Sequence, residues 1–326
     1  MRGLRRHVIA TLAVVGAGVL AACSTAADVQ DTPAAPTPAT SLGSSKPPDE
    51  KCSDRAARSA SFAPLPQADR TGLMGEIARR GRLVVGVSAD SYLLGAFKPG
   101  SVTEFQGFDI DIAREVARDL LGDPNKITFK VITAADRPKA VNAGVEKNGV
   151  DLVARNYTMT CERWKQVNFS AAYFQAAQDT LVPKSATEKS LKQLGDEKRT
   201  VCAPKDSTSL NALPRLAPGA VPYGADQHTA CLALLQEGRV DAITGDNTVL
   251  AGLVAQDPGT KVLGQSLSSE PYGLATAKAH PELAQYVNSV LSRIVKDGTW
   301  QKLYTRYFTT LGPASPPKLD TTKPLP

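Results

Sequence analysis

Strand and helix patterns alternate along most of this 326-residue chain, and this alternation constrains the fold more than any other feature of the sequence. Apolar runs of strand character recur at 82–88, 127–132, 151–154, 200–203, 240–244, 261–263 and 272–275. Helix patterns, in which apolar residues return every three or four positions, lie at 109–121, 138–147, 209–216, 227–237, 247–255 and 281–296. A final helix has five apolar or aromatic residues on one face, and this spacing is typical of residues in a core. They are Trp300, Leu303, Tyr304, Tyr307 and Phe308. The pattern predicts an α/β fold with mainly parallel sheets.

Residues 151–170, DLVARNYTMTCERWKQVNFS, combine a buried strand, a polar turn and a helix start. Thr160 comes just before the helix, where a hydroxyl oxygen accepts a hydrogen bond from one of the free backbone N–H groups. Arg163 lies inside the first turn and offers five donors in a planar fork. Together these groups predict a site for a small carboxylate. The alternative for Arg163 is a surface salt bridge along the helix.

The N-terminus has the pattern of a lipoprotein signal peptide over residues 1–22. Three arginines occur among the first six residues, and the apolar run 8–20 is too short to span a membrane. The run ends in Leu-Ala-Ala directly before Cys23, which predicts acylation of Cys23, for example with palmitate. An ordinary secretory cleavage site is the alternative. We predict a chain anchored by lipid to the outer face of the cell membrane.

Residues 23–71 are rich in Pro, Ala, Ser and Thr, and they show almost no apolar periodicity. This composition predicts a tether between the lipid and a folded body. The end of the chain, 312–326, is similar in composition and is predicted to be a disordered tail. Three arginines of the signal peptide contribute half of the formal net charge of +6. Because no Lys/Arg cluster with interleaved aromatics occurs, we predict no nucleic-acid partner.

Four cysteines remain after Cys23, namely Cys52, Cys161, Cys202 and Cys231. In an exported chain they are expected to form two disulfides rather than stay reduced. Four cysteines allow three pairings, and the sequence does not choose between them. No CxxC or Cys/His spacing indicates a metal site, and we predict no cofactor.

Four motifs resemble one protein family in order and spacing. They are GFDIDIAREVA at 107–117, TMTCERWKQVNFS at 158–170, GRVDAITGD at 238–246 and DGTWQKLYTRYF at 297–308. The resemblance is to the polar amino-acid solute-binding proteins, the extracytoplasmic receptors of ABC importers. It implies a two-lobed, periplasmic-binding-protein-like (type II) α/β fold with a ligand cleft and a two-strand hinge. Lobe 1 would comprise 72–178 plus 270–311, and lobe 2 would comprise 179–269.

The resemblance also implies roles for residues that would bind an amino acid. Arg163 would bind the ligand carboxylate, supported by the hydroxyl and amide of Thr160. Thr158 would offer the ligand ammonium a hydroxyl or a carbonyl. Asp246 would provide the carboxylate for that ammonium, although it could instead cap the following helix.

Further candidates come from loops on either side of the implied cleft. Thr208 and Ser207 match a loop whose amides meet the ligand carboxylate, with Ser207 where the family usually has glycine. Lys205 matches a position that faces the ligand side chain. Ser88 and Tyr92 are cleft candidates from the loop after the first strand, and Arg137 lies close to a position where many relatives have an aromatic residue. Lys205 and Arg137 favour an acidic ligand. On this layout the cysteines would pair as Cys52–Cys161, joining the tether to lobe 1, and Cys202–Cys231 within lobe 2.

As a whole, the resemblance implies a monomeric receptor that closes on aspartate, glutamate, asparagine or glutamine. Its partners would be an ABC permease, or a multi-span membrane sensor that signals to a serine/threonine protein kinase. One alternative is a sensor lipoprotein without a permease. Another is a cleft enzyme of the dehydratase type, because a few dehydratases use the same fold. No catalytic residues are predicted, since His7, His228 and His280 belong to no recognisable catalytic motif.

Overall fold

The computed structural model describes residues 60–66 and 71–321. The predicted signal peptide, the acylation site Cys23 and the pairing of Cys52 lie outside these residues, so they stay predictions. Within the described part of the chain, no helix has the length and apolar character required to cross a membrane.

The described residues form an α/β fold with two main sheets and a small three-stranded one. The strands are β1 (Leu83–Val87), β2 (Asp90–Ser91), β3 (Gly95–Phe97), β4 (Phe105–Gln106), β5 (Ile127–Val131), β6 (Leu152–Ala154), β7 (Val167–Phe169), β8 (Phe174–Pro183), β9 (Thr200–Pro204), β10 (Val221–Ala225), β11 (Ala242–Asp246), β12 (Thr260–Val262), β13 (Ser268–Tyr272) and β14 (Ala275–Ala277). The helices are α1 (Gly72–Arg80), α2 (Phe108–Leu121), α3 (Arg137–Ala143), α4 (Cys161–Gln166), α5 (Leu191–Asp196), α6 (Thr208–Leu216), α7 (His228–Gln236), α8 (Asn247–Gln256), α9 (Pro281–Lys296) and α10 (Thr299–Phe308).

The first sheet has the order β5-β1-β6-β14-β7. β1 runs parallel to both β5 and β6, while β14 runs antiparallel to β6 and β7. Every residue of β1 is buried, which explains its continuous apolar sequence LVVGV. The predicted face of α10 packs into the same core, where Trp300, Leu303, Tyr304 and Phe308 are buried. This sheet and its helices form the first lobe.

Gly107 allows α2 to begin close to the turn between β2 and β3. Its φ of 131° is unfavourable for residues with a side chain, and a Cβ there would lie 2.2 Å from the carbonyl oxygen of Leu94. The backbone N–H groups of Phe108 and Asp109 donate to the carbonyls of Leu93 and Leu94, each at 2.9 Å. The glycine of the GFD motif is therefore required by a close approach between two backbones.

The second sheet has the order β10-β9-β11-β8-β12, and β13 also pairs with β8. β9 runs parallel to β10 and β11, whereas β8 runs antiparallel to its neighbours. The disulfide Cys202–Cys231 joins β9 to α7 and confirms one predicted pairing. Cys161 is also disulfide-bonded, but its predicted partner Cys52 lies outside the described residues. The second sheet and its helices form the second lobe.

Two strands connect the lobes. β8 carries the chain from the first sheet into the second, and β13 brings it back beside β8, with Tyr272 opposite Phe174. This arrangement confirms the two-lobed type II fold. The predicted strand 272–275 is wrong, because its apolar run covers the end of β13 and the start of β14, which belong to different sheets.

Two predicted helices also need correction. The helix predicted over 138–147 ends at Ala143, because Gly144 has a φ of 67°, and a 3-10 turn follows at Val145–Lys147. The helix predicted from 227 begins at His228 with Gln227 as its N-cap residue. The carboxylate of Asp226, the residue before this N-cap, accepts a hydrogen bond from Lys205.

Part of the predicted tether packs against the first lobe. We call residues 60–66 the arm. Ser61 is fully buried, its hydroxyl donates to the carbonyl of Phe169 at 2.7 Å, and its N–H donates to the carbonyl of Asp320 at 2.8 Å. Leu319 packs against the core of the first lobe. Within the predicted tail, Leu319 and Asp320 therefore contact the first lobe and the arm.

Candidate functional site

A small cavity of about 20 Å³ lies where strands of both lobes end. Its lining begins after the carboxyl ends of β6, β9 and β11, which is where open α/β sheets commonly bind ligands. The lining residues are Ala134, Arg137, Arg155, Asn156, Thr158 and Arg163 from the first lobe, and Pro204, Ser207, Thr208, Ser209, His228 and Asp246 from the second. Six predicted binding residues are therefore brought together here.

The cavity is about large enough for a single water molecule. Two wider grooves adjoin it. One, of about 600 Å³, shares Arg137, Arg163 and Thr208 with the cavity and adds Thr160. The other, of about 220 Å³, shares Thr158 and Thr208. An amino acid can therefore enter the cavity only if the two lobes move apart.

Arg163 bridges the two lobes at the cavity. One Nη donates to the carbonyl of Thr158 at 2.8 Å, and the other donates to the carbonyl of Asp206 in the second lobe at 3.1 Å. The hydroxyl of Thr160 accepts from the backbone N–H of Arg163 at 3.3 Å, which confirms the predicted N-cap. Both Arg163 contacts go to neutral carbonyls, and a carboxylate would be a stronger acceptor for the same fork.

Arg137 is buried beside Arg163. Its Nε donates to the carbonyl of Ala134 at 2.8 Å, and one Nη donates to the carbonyl of Arg155 at 3.3 Å. Burial, and then the like charge of Arg163, hold the pKa of Arg137 well below its usual value. Two neighbouring guanidinium groups with neutral acceptors create an environment that favours an anion.

Asp246 lies at the end of β11 on the opposite side of the cavity. Its Oδ2 accepts from the hydroxyl of Tyr272 at 2.6 Å, while its buried Oδ1 has no hydrogen-bond partner in the described part of the chain. Burial, and then the charge of Glu270, raise the pKa of Asp246 to about 7, although Tyr272, Arg163 and Arg137 act in the opposite direction. Asp246 precedes α8 but makes no side-chain cap. Its Oδ1 is suited to an ammonium group.

The loop before α6 brings two predicted residues to the cavity. Ser207 caps α6, because its hydroxyl accepts from the backbone N–H of Leu210 at 3.1 Å. The hydroxyl of Thr208 donates to Oε2 of Glu270 at 2.9 Å. Glu270 is a buried carboxylate on β13 that the sequence did not suggest. It fixes the Thr208 hydroxyl beside the hinge strands.

Three predicted residues line neither the cavity nor the two adjoining grooves. Lys205 is exposed, and its Nζ lies 2.9 Å from the carboxylate of Asp226. Ser88 is buried and donates to Asp90 at 2.6 Å. Tyr92 packs beside Gly252 of α8, where an added Cβ would lie 3.5 Å from the Tyr92 side chain. The argument for an acidic ligand therefore rests on Arg137, without Lys205.

Four polar residues of the cavity were not predicted from the sequence, namely Arg155, Asn156, Ser209 and His228. Arg155 and Asn156 follow β6 inside the stretch 151–170, and His228 begins α7 in the second lobe. The placement of polar residues directly after β6 was a usable signal for the first two. No local signal pointed to His228. Among the described residues, no group of three or more His, Cys, Asp or Glu side chains could hold a metal ion.

Two lobes joined by paired strands, with a charged cavity between them, define a solute-binding protein. Residues 83–310 match the bacterial extracellular solute-binding proteins, family 3, and the chain belongs to this family.

Individual relatives agree with this assignment. The ABC transporter glutamine-binding protein GlnH of Bacillus subtilis (strain 168) is 35% identical over 226 residues, which cover 69% of this chain and 81% of the relative. A glutamine-binding protein of Geobacillus stearothermophilus is 38% identical over 208 residues, covering 64% and 77% of the two chains. A crystal structure of a solute receptor for L-cysteine of Neisseria gonorrhoeae matches with a TM-score of 0.67 at 29% identity, covering 73% of this chain and 94% of that chain. Each relative is named for binding an amino acid.

Proposed function

We propose that this protein is a lipid-anchored extracytoplasmic receptor that binds aspartate, glutamate, asparagine or glutamine by hinge closure. Lobe 1 would comprise 72–178 plus 270–311, lobe 2 would comprise 179–269, and β8 and β13 would form the hinge. One observation carries the proposal: Arg163 and the unpartnered Oδ1 of Asp246 line the same cavity from different lobes. These are complementary partners for the two charges of an α-amino acid.

The ligand carboxylate would replace neutral carbonyls as the acceptor of the Arg163 fork. It would also receive hydrogen bonds from Thr160 and Thr208, which line the groove that opens into the cavity. The ammonium would lie against Asp246 and Thr158. Because Arg163 already contacts the second lobe through Asp206, the ligand would substitute for a direct contact between lobes. Closure on the ligand is thereby favoured by charge-assisted hydrogen bonds.

The charges of the cavity support an acidic or neutral side chain. Arg137, Arg155 and Arg163 all line it, whereas Asp246 is the one carboxylate among its lining residues. An anionic side chain would be attracted by this excess of positive charge, and a cationic one would be repelled. Arginine and lysine are therefore expected to bind poorly.

The relatives named as an ABC transporter protein and as glutamine-binding support delivery to an ABC permease. Signalling through a multi-span membrane sensor to a serine/threonine kinase is the second candidate function. Its only support is the resemblance of the sequence to lipoproteins of this family. Co-purification from membranes, with the acylated chain as bait, distinguishes a permease from a sensor.

Calorimetric titration tests the ligand class. We expect saturable binding of at least one of the four proposed amino acids, with the acidic pair at least as tight as glutamine, and no comparable binding of arginine. A preference for arginine would contradict the proposal. Incubation with prephenate or arogenate tests the dehydratase alternative, and turnover of either compound would establish an enzyme.

A further inference from the structure

We propose that His228, together with Asn156 and Arg155, forms a subsite for the polar end of the ligand side chain, a carboxylate or a carboxamide. This inference rests on the proposed function, since these residues line the same cavity as the groups assigned to the α-carboxylate and ammonium. It adds a residue from α7 to the binding site.

Asp90 fixes the position of His228 from across the cleft. Its Oδ2 accepts from the backbone N–H of His228 at 2.7 Å, so the start of α7 is attached to the first lobe. Its Oδ1 accepts from Ser88 at 2.6 Å and lies 3.6 Å from the guanidinium of Arg155. One buried carboxylate thus places the imidazole and the guanidinium next to each other.

Two buried polar atoms of this subsite have no hydrogen-bond partner among the described residues. They are Nδ1 of His228 and Oδ1 of Asn156, and both residues line the cavity. Nδ1 of His228 lies 3.8 Å from Oδ2 of Asp90, which is too long for a hydrogen bond. Buried polar groups are nearly always satisfied, so these atoms indicate where a ligand would supply the missing partners.

The chemistry of the subsite excludes a cationic side chain. Burial lowers the pKa of His228 to about 4, with Arg155 and Arg137 acting in the same direction against Asp90, so the ring is neutral at physiological pH. A neutral imidazole can donate or accept, and a carboxamide such as Asn156 offers both functions. Arg155 adds positive charge. A carboxamide satisfies this set, because its NH2 group can donate to Oδ1 of Asn156 while its oxygen accepts a hydrogen bond. A carboxylate can accept from His228 and Arg155, and from Asn156 only through Nδ2. An ammonium would face Arg155.

Calorimetry on His228→Ala tests the inference, with His280→Ala as the matched control because His280 pairs with Glu282 away from the cavity. The probes are the tightest-binding of the four polar amino acids and norvaline, which has no polar end. We expect His228→Ala to weaken the polar ligand by about tenfold or more and to leave norvaline nearly unchanged. Equal losses for both ligands, or none, would overturn the subsite.

The remaining outcomes are separated by two further variants. If thermal melting shows that His228→Ala does not fold, Asn156→Ala is used in its place. We expect the same loss of affinity for the polar ligand relative to norvaline. Arg163→Ala should remove binding of both probes. If the unmodified protein binds no amino acid, the proposed function fails. If Arg163→Ala acts as expected, but the His228 and Asn156 variants still bind the polar ligand more tightly than norvaline by the original factor, only the subsite fails.

Discussion

At the scale of single residues, two arginines share one aromatic ring at the edge of the cleft. The guanidinium carbons of Arg137 and Arg163 lie 4.0 and 4.8 Å from the centre of the Tyr157 ring. The ring partly compensates each cation, but it does not neutralise their mutual repulsion. A ligand carboxylate between the two guanidinium groups would neutralise this repulsion. The binding free energy of the site is therefore expected to depend on these guanidinium groups.

Replacing Arg163 tests this dependence. We expect Arg163→Ala to cost about 2–5 kcal/mol of binding free energy, because it leaves the ligand carboxylate without its charged partner. Arg163→Lys should recover only part of the loss, since it keeps the charge but not the fork. Lys165→Ala, on the same helix but exposed, is the control. Calorimetric affinities within a few-fold of the unmodified protein for Arg163→Ala would refute the assignment.

We expect Asp246 to make ligand binding depend on pH. Its pKa is about 7 in the described structure, and a ligand ammonium beside it would lower that value. The complex then binds fewer protons than the free protein, so affinity should fall as the pH decreases below about 7 and be constant above it. Glutamine is the suitable probe because its side chain does not titrate. Asp246→Asn should bind glutamine weakly, and its affinity should not depend on pH in this range. If the pH profile of this variant is unchanged, another group causes the pH dependence.

The residues proposed to bind the constant part of an amino acid were brought to the cavity as expected more often than those proposed for its side chain. Arg163, Thr160, Thr208 and Asp246 lie in local motifs, and each is at the cavity or its groove. His228 could not be found in this way, because its role depends on a contact with Asp90 in the other lobe. Lys205 does not line the cavity, because its side chain pairs with Asp226, which follows it after a whole helix and strand.

At the scale of elements, each lobe has a covalent or packed support beside the cleft. In the second lobe, the disulfide Cys202–Cys231 joins β9, whose end leads to Thr208, to α7, whose start carries His228. In the first lobe, the arm packs on α4 through Phe62 and Trp164, whose ring centroids are 6.1 Å apart. The helix that carries Arg163 is therefore supported from behind.

Removing the second-lobe disulfide should destabilise the protein. The two cysteines are 29 residues apart, and closing a loop of that length stabilises the folded state by about 3–4 kcal/mol. We expect the double variant Cys202→Ser, Cys231→Ser to lose about this amount in denaturant unfolding. Paired substitution is preferable to a reducing agent because Cys161 is also disulfide-bonded. A loss below about 1 kcal/mol would show that the loop is already ordered when unfolded.

Asn288 should be required for docking of the arm. Its Nδ2 donates to the hydroxyl of Ser61 and to the carbonyl of Phe62, and its Oδ1 accepts from the N–H of Ala171 at 2.7 Å. Asn288→Ala removes these three hydrogen bonds, leaves the N–H of Ala171 without the partner described here, and should cost about 1–3 kcal/mol of folding free energy. Thermal melting measures the effect, and Asn125→Ala, at an exposed site, is the control. Equal melting temperatures for Asn288→Ala and Asn125→Ala would contradict the described packing of the arm.

Long periodic helices were predictable, whereas short strands and the arm were not. α9 and α10 match their predicted spans closely because many apolar residues repeat along one face. β2, β3 and β4 have only two or three residues each, too few to show a period. The arm has no apolar repeat either, and its docking depends on one buried hydroxyl and on Asn288.

At the scale of the whole molecule, the two lobes contact each other directly across the cleft. Arg163 reaches the Asp206 carbonyl, and Asp90 reaches the start of α7. The two-lobed fold followed from the order of the motifs, but the closeness of the lobes depends on side chains that meet only in the folded molecule. A ligand must compete with these contacts and then replace them.

The central claim is that one cavity binds the carboxylate and the ammonium of the same amino acid. Titration calorimetry with glutamate and two analogues tests it most directly. Glutarate lacks the ammonium, and 4-aminobutyrate lacks the α-carboxylate. We expect glutamate to bind and each analogue to be weaker by about a hundredfold or more, because each leaves Asp246 or Arg163 without its partner. Binding of either analogue within a few-fold of glutamate would contradict the account.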